Sequence, residues 1–163
     1  MNRHRARNWL FVGSLLLSLF LLVLPLPDAV AAYKPYWPAL VLVYWALEWP
    51  DKINLGLAFV TGLGADLLTG VLLGDQALRL TVLVFLVMRF RSRLRFFTMW
   101  QQILVVLALL LNNRVLQLAI GLFAGQPLPS PGFWVAPLIG ALIWPLVFLL
   151  LDDLNTRLRV RET

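Results

Sequence analysis

The chain has 163 residues, no cysteine and a formal net charge of +6, with 61% hydrophobic and only 13% charged residues. A soluble domain carries about 25% charged residues and 45–50% apolar ones, and a globule this small has too much surface to hide the excess. Lipid must solvate the outer face, the missing cysteines exclude disulfide and thiolate chemistry, and the basic excess reads as loop charge of a membrane protein rather than as a nucleic-acid footprint.

Six apolar runs reach or approach the roughly 20 residues of a spanning helix. The first, 9–24, is closed by Pro25 and Pro27. The second, 36–49, lies between Pro38 and Pro50 and is the shortest, so whether it crosses fully is open. The third is 53–73, the fourth 77–90, the fifth 101–123 and the sixth 133–151. The start, Arg-rich then apolar then Ala29-Val30-Ala31, imitates a cleavable signal peptide. Its apolar stretch is long for that role, and Pro25, Pro27 and Asp28 precede the small residues, so an uncleaved first span is expected.

Loop charge tests the count. Six spans place Arg3, Arg5, Arg7, Lys52, Arg89, Arg91, Arg93, Arg95, Arg157, Arg159 and Arg161 on one side, eleven of the fourteen basic residues. The other side keeps Lys34 and Arg79, and Arg114 lies within a span. Basic residues concentrate in cytoplasmic loops, so the expectation is one all-α membrane domain of six helices with both termini cytoplasmic. Tyr33, Tyr36, Trp37, Trp45, Trp49, Trp100, Trp134 and Trp144 fall mostly near span ends, where amphipathic rings favour the membrane interface.

Charges inside hydrocarbon are costly and mark functional candidates. Asp66 in the third span and Arg114 in the fifth each lie about 20 Å from the cytoplasmic side at roughly 1.5 Å per residue. Equal depth and opposite charge suggest an ion pair, which is the cheapest way to keep both. The pair reads as a proton or substrate site, or as a clamp between spans three and five; one Asp and one Arg make no relay, which favours the clamp.

Asp66 also belongs to a four-residue recurrence with Ala58, Gly62, Gly70 and Gly74. Such a stripe of small residues lets a neighbouring backbone come close. On the fifth span Asn113 and Gln117 share a face beside Arg114, with Asn112 extending the polar band. Interhelical hydrogen bonds of this kind average only about 0.6 kcal/mol, so they specify register, either within the chain or against a partner's helix.

Catalysis is poorly supplied. The only histidine, His4, sits in the basic tail, so no histidine-based triad or metal site is expected. Asp152 and Asp153 are neighbours on a helix, pointing about 100° apart, and form no carboxylate dyad. No phosphate loop or nucleotide fingerprint is present. Neither an enzyme nor a cofactor is indicated. Arg89, Arg91, Arg93 and Arg95 alternate with apolar residues in a basic loop, suited to anionic lipid headgroups at about 1 kcal/mol each.

An ordered series then carries a resemblance: Lys34-Pro35-Tyr36-Trp37, Tyr44-Trp45, Pro50, Asn54-Leu55-Gly56, Gly62, Asp66-Leu67, Leu73-Gly74, Met99-Trp100-Gln101-Gln102 and Trp144-Pro145. Across essentially its whole length the chain resembles MreD, the rod shape-determining membrane protein family of bacteria. The resemblance implies a non-enzymatic inner-membrane component of the cell-elongation machinery. Its implied partners are MreC, a single-span protein with a periplasmic domain, the actin-like MreB, and the RodA/penicillin-binding protein synthase of lateral peptidoglycan. It also implies a six-helix fold similar to the substrate-binding component of energy-coupling-factor transporters. That fold supplies the rival function, small-molecule (vitamin-type) transport, which fold alone does not exclude. Short outer loops and few inward polar groups lean toward a scaffold.

Overall fold

A computed structural model describes residues 3–160; Arg161 and the side chain of Arg3 lie outside the described part. Six long helices follow one another: α1 (Arg3–Val23), α3 (Trp37–Glu48), α4 (Leu55–Thr69), α5 (Asp75–Leu94), α6 (Met99–Phe123) and α7 (Val135–Val160). A single turn, α2 (Asp28–Ala31), and a 3-10 turn (Pro131–Trp134) occupy two of the connections, and no strand occurs among the described residues.

Local chemistry sets the boundaries. Asn54 caps α4 by accepting from Leu57 N at 2.7 Å, and Thr98 and Gln101 form a reciprocal capping box at the start of α6. α4 stops at Thr69 because Gly70 and Gly74 both take positive φ, 69° and 96°, which L side chains rarely adopt. The third span is therefore shorter than 53–73. Gly70 and Gly74 leave the small-residue stripe and instead bound the turn into α5.

α3 is the central helix: every residue from Pro38 to Leu47 is buried. It packs against α1, α5 and α7, while α4 and α5 pair closely, as do α6 and α7. Burial on all sides explains why α3 is so apolar yet short. Trp45 and Trp144 are fully buried, which corrects the interface placement expected for them. Trp45 stands edge-on to Phe11 at 5.4 Å and donates Nε1–H to Ser14 Oγ at 2.8 Å. Trp100, by contrast, is exposed.

Contacts between helix ends show that the helices alternate in direction. Arg7 donates to the Glu48 carbonyl, Arg91 to the Leu47 carbonyl, and Tyr44 O–H to Asp152, so one end holds the start of α1 and the ends of α3, α5 and α7. Most of the basic residues gather there. Lys34 donates to the Leu22 and Leu24 carbonyls at the opposite end. The arginine-rich segment is mostly helical, because α5 continues to Leu94. Arg89, Arg93 and Arg95 are exposed, whereas Arg91 turns inward onto α3 and is no lipid-facing loop residue. Asp152 and Asp153 diverge as expected: the second pairs with exposed Arg157 at 3.0 Å.

His4–Val23, Met99–Phe123 and Pro131–Val160 are long and apolar enough to cross a membrane; Trp37–Glu48 and Leu55–Thr69 are shorter apolar helices.

Candidate functional site

The two intramembrane charges do not meet. Asp66, 1% exposed, accepts backbone N–H groups at the start of α5: Gly74 N at 2.8 Å, Gln76 N at 2.9 Å and Ala77 N at 3.4 Å. The first N–H groups of a helix have no partner within it, and its N-terminus favours negative charge. Gly74 has no side chain with which to cap α5, so the carboxylate from α4 does so across the helix pair. That finding overturns the expected Asp66–Arg114 ion pair.

Gly62 completes this junction. A Cβ there would fall onto Ala77 Cα and within 2.7 Å of the Gln76 carbonyl carbon, so α4 and α5 touch backbone to backbone. Ala58, Thr61, Gly62, Ala65 and Asp66 form the buried face of α4. The opposite face is open: nothing lies within 4 Å of a Cβ at Gly64, and Val60 and Leu67 are 65% and 75% exposed.

Arg114 joins a different group. Its Nη1–H donates to Gln117 Oε1 at 2.8 Å, and its guanidinium covers the Phe133 ring at 4.5 Å. The same Gln117 oxygen accepts from Arg79 Nη1 at 3.3 Å. Arg79 is 5% exposed and grips Asp75 through Nε at 3.2 Å and Nη2 at 3.1 Å, with the Tyr36 ring beneath it. Tyr36 O–H donates to Gln76 Oε1 at 2.9 Å, and Gln76 Nε2–H donates to Thr69 Oγ1 at 2.9 Å.

Apart from Phe133, these residues, with Lys34, Asn113 and Leu22, line a half-open cavity of about 210 Å3 at the end opposite the arginine-rich one. Desolvation by burial lowers the Lys34 ammonium from the ordinary lysine value. Asn113, Arg114 and Gln117 of the fifth-span band all line this cavity. Its neighbours Lys34, Tyr36, Asp75, Gln76 and Arg79 are not evident from span depth alone. One signal points to two of them: Asp75 and Arg79 stand four apart at a helix start, a spacing that pairs opposite charges. Among the described residues no group of three or more His, Cys, Asp or Glu is placed to hold a metal.

Alternating apolar helices around a buried central helix, with most of the basic residues at one end, define an all-helical integral membrane protein. The family model for rod shape-determining protein MreD matches residues 3–154. Rod shape-determining protein MreD of Haemophilus influenzae is 31% identical over 158 residues, covering 94% of this chain and 95% of that protein. The chain belongs to the MreD family, a shape-determining structural family rather than one of enzymes. No solved structure matches it significantly.

Proposed function

We propose that this protein is a membrane scaffold of the cell-elongation complex. It binds MreC within the bilayer and helps link cytoplasmic MreB to the RodA/penicillin-binding protein synthase. The observation carrying this reading is the family match, which runs through all six long helices. All six cross the bacterial inner membrane, and their alternation with the arginine-rich end facing the cytoplasm agrees with the usual charge asymmetry. α3, about 18 Å long at 1.5 Å per residue, needs no lipid contact because the other helices enclose it. Depleting the protein from a rod-shaped bacterium should round the cells; nutrient auxotrophy with normal rods would overturn the role. The transporter reading fits less well: the polar cavity of about 210 Å3 falls below the roughly 300–1,000 Å3 of sites for drug-sized ligands, and the cavity of about 360 Å3 between α1, α3 and α7 has apolar walls with no polar surface to orient a ligand.

MreC's single span packs on the open face of α4, where Gly64 between Val60 and Leu67 leaves room for a close backbone approach. Gly64→Leu is expected to cut co-purification of MreC at least tenfold while thermal stability in detergent stays within a few degrees of wild type. Full MreC recovery with Gly64→Leu would move the contact elsewhere, and recovery of an ATPase module without MreC would reject the scaffold.

A further inference from the structure

The cavity between α5, α6 and the segment leading into α3 has an unbalanced charge. Arg79 is matched by Asp75 in a two-point grip. Arg114 has no carboxylate in salt-bridge range among the described residues; a ring and one amide oxygen are all that hold it. Lys34 reaches only backbone carbonyls. Two cations therefore border one cavity without counter-charge.

A second observation is independent of charge. Asn113, also lining the cavity, is 2% exposed, and its Oδ1 has no hydrogen-bond partner among the described residues. A buried unpartnered carbonyl costs about 1–3 kcal/mol, a cost that a donor entering from the cavity would relieve. The walls themselves are already satisfied, through the relay from Tyr36 to Gln76 to Thr69.

The geometry points to a binding site for a phosphate that carries a hydroxyl group, the anion lying between Arg114 and Lys34 and the hydroxyl donating to Asn113 Oδ1. Guanidinium and ammonium groups both suit phosphate oxygens. A cavity of about 210 Å3 admits a headgroup-sized ligand. Its rim includes Leu22 and Val71, next to Leu72 and Leu73, which are 55% and 65% exposed. A phosphate attached to an acyl glycerol or a free polyol phosphate presents the same chemistry to these groups. The site is independent of the scaffold role, and its failure would leave that role intact.

Phosphatidylglycerol and free glycerol phosphate separate the two sources. The full-length protein is placed in phosphatidylcholine nanodiscs and its unfolding temperature is followed as either compound is added, with retained lipid counted by native mass spectrometry. Stabilisation by phosphatidylglycerol alone assigns the site to a lipid headgroup; stabilisation by glycerol phosphate assigns it to a soluble ligand. Arg114→Gln and Lys34→Gln should each reduce retention at least tenfold and abolish the stabilisation. Arg157→Gln, which removes an exposed charge at the other end of the molecule and outside the arginine-rich segment, should leave both unchanged. Using two independent variants covers the case in which one of them does not fold. The proposal is overturned if neither compound stabilises the wild type, if folded Arg114→Gln and Lys34→Gln bind as wild type does, or if Arg157→Gln loses as much as they do.

Discussion

Gly62→Ala is expected to destabilise the protein by about 2 kcal/mol or more, although alanine is the better helix former by about 1 kcal/mol. The reason is where the new methyl would go. It would overlap Ala77 Cα and lie 2.5 Å from Ala77 N, and both are backbone atoms of α5. No rotamer change relieves that overlap, so α4 and α5 must separate. Overpacking a fitted interior costs typically 1–3 kcal/mol and occasionally more, and here the separation also lengthens the hydrogen bonds from Gln76 N and Ala77 N to Asp66. The two losses share one cause and should appear together. A thermal unfolding series in detergent, with the amount of protein accumulating in the membrane, checks the expectation. Gly64→Ala supplies the contrast: it adds the same methyl two residues away, where nothing lies within 4 Å, and should be neutral or slightly stabilising. Equal stability of the two variants would contradict the close α4–α5 contact.

Much of this was readable from residue patterns, and the failures are of one kind. The series of six long helices follows from the apolar runs, because those depend on composition averaged over many residues. The small-residue stripe correctly marked Gly62 and Asp66 as contact positions. It overran at Gly70, where a four-residue spacing persists although the backbone has already turned left-handed. Periodicity cannot register a change of φ. Trp45 and Trp144 were placed at interfaces by residue type, yet each has a polar partner for its indole N–H, Ser14 and Gln102, which is what permits burial. The cavity was half legible. Asn113, Arg114 and Gln117 share one helix and so one visible spacing, while Lys34, Tyr36 and Arg79 reach it from elements far away in sequence. Depth arithmetic paired Asp66 with Arg114 because it treats a buried carboxylate as needing a cation. Backbone N–H groups at a helix start meet the same need, and nothing in one-dimensional spacing distinguishes the two.

Asp66→Ala should be the most damaging single change on the buried face of α4, and its cost should be indifferent to Arg114. Removing the carboxylate strands the N–H groups of Gly74, Gln76 and Ala77 at the start of α5. Each buried unsatisfied donor costs about 1–3 kcal/mol. A loss of several kcal/mol follows, enough to unfold a marginally stable helix pair. Asp66→Asn keeps one oxygen but turns an amide N–H₂ toward backbone donors, so it should fall between wild type and Asp66→Ala. Were the carboxylate instead held by Arg114, neutralising the arginine would recover much of the loss. The observed geometry predicts the opposite. In a double-mutant cycle of Asp66→Asn with Arg114→Gln, measured by unfolding in phosphatidylcholine nanodiscs, the effects should add to within about 0.5 kcal/mol, as for groups without shared partners. Rescue of Asp66→Asn by Arg114→Gln beyond that margin would restore the ion pair and displace the helix-capping role. Additivity would assign the two intramembrane charges to separate tasks, one joining α4 to α5 and the other facing the cavity.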